Sequence, residues 1–224
     1  MNPVCQRVAF YVSFGLFVLS LALIAVALVT PHWIEARVVN SKVIAMVEGN
    51  MHAGLFSGVR VLDWGLGVRV IPFSVLVELE EGTSFFGRGY WLGTVSFTAI
   101  AMLFTLLALP LCLLGGMRGG RTSLKAIYAC ILLAVIFLSG AMVMFYINYS
   151  QYMVENVLLD TQLQAGFSTR NKIWIGYSFH LFVTATTILL LPVVVLYIGS
   201  LQCVRRDRVT EKTGKSRDPA VFLY

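Results

Sequence analysis

Hydrophobic and polar positions are patterned on two scales along this chain. On the long scale, four apolar runs cover residues 8–30, 90–114, 126–147 and 173–200, and none contains Asp, Glu, Lys or Arg. A helix crosses a bilayer in about 20 residues, and each run is long enough. A backbone in lipid must satisfy its own hydrogen bonds, so the runs are predicted as helices. On the short scale, the loop 31–89 carries period-2 stretches rich in Val and Ile: residues 36–47 (ARVVNSKVIAMV), 59–62 (VRVL) and 68–79 (VRVIPFSVLVEL). In Val-Arg-Val the apolar, charged, apolar order gives one dry and one wet face. These stretches predict a small antiparallel sheet on the outer helix ends, with Gly58, Gly65 and Gly67 as turn or bulge positions. Pro72 marks the last strand as an edge strand or interrupts it.

In the second loop, 148–172, the apolar positions Tyr152, Val154, Val157, Leu158 and Leu163 predict that the third helix continues beyond the membrane until Gly166 ends it. The polar, basic tail 205–224 reads as disordered. The fold class is therefore mainly α: one four-helix transmembrane bundle, residues 1–204, with a small antiparallel β-sheet in the first extracellular loop.

Composition agrees. Of 224 residues, 58% are hydrophobic and 12% charged, about half the roughly 25% charge of a soluble domain. The mean hydropathy is +0.82, so part of the apolar surface must face lipid. Arg7 and Ala25-Val26-Ala27 also suit a cleaved leader. The apolar stretch exceeds the roughly 7–15 residues of such leaders, so an uncleaved span is expected. Charge sets the orientation. Arg118, Arg121 and Lys125 stand in the second-to-third connection without an acid, and six basic residues of the tail face Asp207, Glu211 and Asp218. The two loops are near neutral. The positive-inside rule then puts both termini of a multi-pass membrane protein in the cytoplasm. The net charge of +6 is a topology signal; it suits anionic lipid heads and does not argue for nucleic acid.

Candidate chemistry is sparse. No cysteine lies in a loop predicted to be extracellular, so no disulfide framework is expected. Cys112 and Cys130 read as helix packing, while the juxtamembrane Cys5 and Cys203 are candidates for S-palmitoylation. His32, His52 and His180 are far apart in sequence and in predicted depth, and His180 is expected to bond a neighbouring helix. Glu78, Glu80 and Glu81 could bind a cation, but a solvated acidic strand end is the preferred reading. Asn148-Tyr149-Ser150 fits N-glycosylation but sits so near the membrane that the site is expected to stay unused. Ala126, Cys130 and Ala134 form a small-residue stripe of the third helix for helix packing, with Ser139-Gly140 further along it and Gly93 early in the second helix. Phe222-Leu223-Tyr224 has the apolar-x-apolar form captured by some PDZ domains. No nucleophile, acid–base pair or metal cluster assembles, so no enzyme, cofactor or metal is expected.

Residues 54–67, GLFSGVRVLDWGLG, have no phosphate-loop lysine, and their glycines read as turns around a short strand, with Phe56 and Trp64 packing on helix ends. The stretch also carries a resemblance. Pro31-His32-Trp33-Ile34 after the first span, Gly54-Leu55-Phe56-x-Gly58 and Gly65-Leu66-Gly67 in the loop, Tyr177-Ser178-Phe179 opening the fourth span and the final Leu223-Tyr224 resemble the clarins. These are small four-span proteins related to the claudin and peripheral-myelin-protein group. The chain departs from the claudin pattern in lacking a cysteine pair in the first loop and the W-GLW-C-C signature. The resemblance implies a non-enzymatic plasma-membrane organiser in sensory cells, synapses or cell contacts. It would join membrane partners to cytoskeletal scaffolds through its tail. Two other classes stay open: an auxiliary subunit of an ion channel, like the calcium-channel gamma group, and a claudin-like paracellular barrier or pore.

Overall fold

The computed structural model describes residues 3–40, 48–63, 67–82, 85–118 and 121–215. Four helices are long and apolar enough to cross a membrane: α1 (Pro3–Val29), α3 (Arg88–Arg118), α4 (Arg121–Asn148) and α6 (Tyr177–Lys215). Between them lie β1 (Ile34–Asn40), β2 (Glu48–Ala53), β3 (Ser57–Asp63), β4 (Val68–Ser74), the short α2 (Val75–Glu81) and α5 (Asp160–Gln164), β5 (Phe167–Ser168) and β6 (Ile173–Ile175). The four apolar helices and the antiparallel sheet expected from the sequence are both present.

All four long helices bury residues spaced alternately three and four apart. The stripes are Phe10, Ser13, Phe17, Ser20, Ile24 and Ala27 in α1; Trp91, Thr94, Thr98, Ala101, Thr105, Ala108 and Cys112 in α3; Ile127, Ile131, Ala134, Leu138, Ala141 and Phe145 in α4; and Ser178, Phe182, Ala185, Leu189, Pro192 and Leu196 in α6. That spacing is the seam of left-handed helix packing, in which side chains of one helix enter the gaps of the next. The stripes mix rings with small hydroxyl residues, which lets backbones approach closely; the Ser13 hydroxyl is buried without a partner among the described residues. Thr94, Thr98, Thr105 and Thr186 bond carbonyls of their own helices, whereas Ser20 donates across to the Ala185 carbonyl of α6 at 2.9 Å. In α4 the buried stripe runs through Ile127 and Ile131; Ala126 and Cys130 only flank it.

The sheet is antiparallel in the order β4-β3-β2-β1, and the free side of β1 is shared by β6 and β5. Both inter-helix connections at this end thus join one sheet. Ile173–Ile175 is therefore a strand where the sequence suggested the start of the fourth span. Its Ile-Trp-Ile alternation pairs with Ala36, Glu35 and Ile34 of β1, and the helix begins only after Gly176. Residues 75–81 are likewise helical where a strand was expected. Glu-rich sequence favours helix, and Val75 and Glu78, three apart, are both buried. The third helix ends in a π turn at Tyr149–Met153, so Gly166, at φ +98°, closes the separate α5 instead. At the other end α6 runs to Lys215, well into the tail read as disordered, through residues of good helix propensity. Residues 41–47, the second half of the first β-rich stretch, lie outside the described residues.

Candidate functional site

The site is the sheet and its attachment. Trp33 fastens it. Its side chain is fully buried, its Nε1 donates to the Ala27 carbonyl at 2.6 Å, and its ring packs on Phe145, Phe179 and Phe182. Its backbone bonds Ala53 of β2 and Gly176 before α6. Trp33, two residues after Pro31, thus joins three long helices and strand β2. The GLF-x-G element is a second fastening. A Cβ at Gly54 would lie 2.7 Å from the Thr30 carbonyl and 2.8 Å from Pro31, so only glycine fits against the end of α1. Leu55 is buried, and its carbonyl accepts the Trp91 Nε1–H at 2.7 Å. Phe56 packs edge-on against Trp91, as the sequence suggested.

Gly58 is inside β3 opposite Phe73, not in a turn. A Cβ there would collide with the Phe73 ring and the His52 carbonyl. Gly67, at φ +113°, does sit in the β3–β4 connection. Trp64, Gly65, Leu66 and the terminal Phe222, Leu223 and Tyr224 lie outside the described residues, as do the side chains of Cys5 and Cys203. Asn148 is buried and its Oδ1 accepts the Gly87 N–H at 2.8 Å.

The sequence misassigned the faces of β3. Gly58, Arg60 and Leu62 point into the fold, and Val59 and Val61 point away. Arg60 is 1% exposed and Glu78 of α2 is 7% exposed. Two parallel hydrogen bonds join them, Nη1 to Oε1 at 2.5 Å and Nη2 to Oε2 at 2.9 Å. The guanidinium also lies 3.8 Å from the centre of the Phe73 ring. A buried charge needs a partner to be tolerated; α2 supplies the Glu78 carboxylate and β4 the Phe73 ring, while the Arg60 Nε has no hydrogen-bond partner among the described residues. Glu78 is thus no solvated strand end. It holds α2 to the sheet.

The inversion leaves an apolar strip on the far face. Residues paired across antiparallel strands share a face, so the register lays Trp174, Glu35, His52, Val59 and Pro72 in one outward row and Arg37, Asn50, Val61 and Val70 in the next. Val68 and Val70 on the edge strand β4 are 63% and 64% exposed. Apolar residues occupy the β3–β4 half. The β1–β2 half is polar and aromatic. There His32 and His52 stack with ring centres 4.4 Å apart, and Tyr177 covers His32. Glu35 accepts from Trp174 Nε1 at 3.1 Å and meets His32 Nδ1 at 3.1 Å. A cleft of about 300 Å³ opens among these groups. Burial lowers the His52 pKa below its ordinary value; the charge of His32 acts the same way and Glu35 opposes it. His32 and His52, read from the sequence as separate, are therefore one cluster, and His180 is exposed rather than bonded to a neighbouring helix. Among the described residues no group of three His, Cys, Asp or Glu is placed to hold a metal.

Arg60–Glu78 and the histidine stack were missed because each joins residues remote in sequence. The available signal was weak: an arginine between two strand valines and a glutamate in an amphipathic turn. No family model matches the chain, and no curated protein matches it.

Proposed function

We propose that this protein is a non-enzymatic, clarin-like organiser of the plasma membrane. It gathers membrane partners on the outward face of its sheet and connects them through its cytoplasmic tail, ending Phe222-Leu223-Tyr224, to PDZ or cytoskeletal scaffolds. The setting is a sensory cell, synapse or cell contact. The observation that carries this reading is the strip Val59, Val61, Val68 and Val70, turned away from the fold while Arg60 is buried. Val59 and Val61 are half-buried and Val68 and Val70 exposed, and an apolar area open to solvent with a polar rim is what protein recognition uses. Among the described residues the strip ends on β4, the edge strand of the sheet. The double fastening through Trp33 and Trp91 presents this face rigidly above helices suited to a bilayer. The motif resemblance supplies the functional class.

Proximity labelling from the tail in native cells tests it, comparing the full chain with Val70→Glu and with a chain lacking Phe222–Tyr224. Membrane partners fall by about tenfold in Val70→Glu, the loss expected when a charge replaces an apolar interface residue. Scaffold proteins disappear with the truncation. Unchanged lists in both variants sink the organiser reading, and lists dominated by channel pore subunits in all three move the protein to the auxiliary-subunit class.

A further inference from the structure

The bundle is uneven. α3 packs along α4 and α1 along α6, but α4 and α6 touch much less. At the sheet end they meet where Phe145 stacks on Phe179 at 5.2 Å. Toward the opposite end a cleft of about 490 Å³ separates them, within the usual range of roughly 300–1,000 Å³ for ligand sites. Tyr128, Ile131, Leu132 and Val135 line it from α4, and Leu190 and Val193 from α6. All six lie within the membrane-crossing parts of their helices, so the cleft opens sideways onto lipid. Its one hydroxyl, on Tyr128, stands at the end nearest the second-to-third connection.

That end is basic. Lys125 is exposed and precedes Tyr128 by three residues, about 4.5 Å along the helix. Arg118 and Arg121 belong to the same connection, which contains no acidic residue. α6 runs antiparallel to α4, so its Arg205, Arg206 and Arg208 lie beyond the same end of the cleft. An apolar slot open to lipid, ending at a cationic rim, matches a molecule with a hydrocarbon chain and a negative head.

We propose that the cleft between α4 and α6 is a binding site for an anionic phospholipid. One acyl chain fills the space between Ile131, Val135, Leu190 and Val193, and the headgroup phosphate is met by the Lys125 ammonium. Charge selects this occupant over a sterol, whose single hydroxyl gives the cations nothing to neutralise, although Lys125-x2-Tyr128-x3-Leu132 also fits a weak sterol-contact pattern. By the charge asymmetry of the loops this is the cytoplasmic leaflet, where anionic lipids concentrate.

The full chain in phosphatidylcholine nanodiscs is photolabelled with a trace of phosphatidylserine carrying a diazirine in its acyl chain, and labelled peptides are mapped by mass spectrometry. The label collects on peptides holding Ile131–Val135 and Leu190–Val193. Unlabelled phosphatidylserine competes it away, while phosphatidylcholine and cholesterol do not. Lys125→Gln lowers labelling about fivefold, the effect of one cation at an anionic lipid surface. Leu132→Trp, at an exposed position on the cleft mouth, lowers it without altering the melting temperature. Even labelling of all four helices means ordinary boundary lipid and overturns the proposal. So does competition by cholesterol alone, or labelling that Lys125→Gln leaves unchanged.

Discussion

At the scale of single residues, Arg60 carries the most consequence. Removing one partner of a buried pair strands the other charge. Arg60→Ala is expected to destabilise the fold by about 3–5 kcal/mol, and the double variant Arg60→Met with Glu78→Leu to recover most of that, because a well-packed apolar pair replaces a buried ion pair at little cost. Denaturant melts of the detergent-solubilised variants check this. Equal destabilisation in the single and double variants would mean that the packing of Phe73 and Phe85, not the charge, is what Arg60 supports. His52 gives a pH effect of defined sign. Its pKa is lowered on folding, so between that value and the ordinary 6.5 the unfolded chain binds more protons than the folded one. Stability is therefore complete above about 6.5 and declines as the pH falls through that window, when a charged His52 would also face His32. The melting temperature should drop between neutral and mildly acidic pH, and His52→Asn should flatten that drop. An equal drop in the variant assigns the effect to other groups.

At the scale of elements, close approach decides how α3 and α4 pair. A Cβ at Gly140 would lie 2.9 Å from the Phe97 ring, and one at Gly93 would meet the end of the Met144 side chain. Gly140→Leu should cost about 1–3 kcal/mol by forcing the helices apart. Gly15→Leu in α1, where nothing lies within 4 Å, should cost little. Thermal melts of the two variants compare a packed with an open glycine in the same bundle. The small-residue pattern was legible in the sequence, but its partner was not, since Phe97 stands on another helix. The same limit applies to β6 and α2. Ile-Trp-Ile at 173–175 continues an apolar run and reads as helix until β1 is present to pair with it. The Val-Leu-Val-Glu-Leu run at 75–79 reads as strand until Val75 and Glu78 are seen to share a buried side.

At the scale of the whole molecule, Trp33 couples the sheet to the helices. Trp33→Ala should destabilise the chain by about 3–5 kcal/mol, as expected for a buried tryptophan, and should loosen the sheet before the helices. Hydrogen exchange would then rise in β1, β2 and β6 while α3 and α4 stay protected; uniform loss of protection would instead mean that sheet and bundle open together. The sequence by itself determined what lipid and periodicity impose: four long apolar helices, because a membrane span must be continuous and uncharged, and a small antiparallel sheet between the first two, because alternation and turn residues are local signals. It also marked Pro72 and the edge strand that carries it. Only the tertiary structure decided which face of that sheet is buried. Period 2 defines two faces without naming the inner one, and the choice was made by Glu78, eighteen residues beyond Arg60, together with Phe73 and Phe85. Burying the arginine turned the valines outward, and that single choice, set by a long-range ion pair, created the surface on which the proposed function rests.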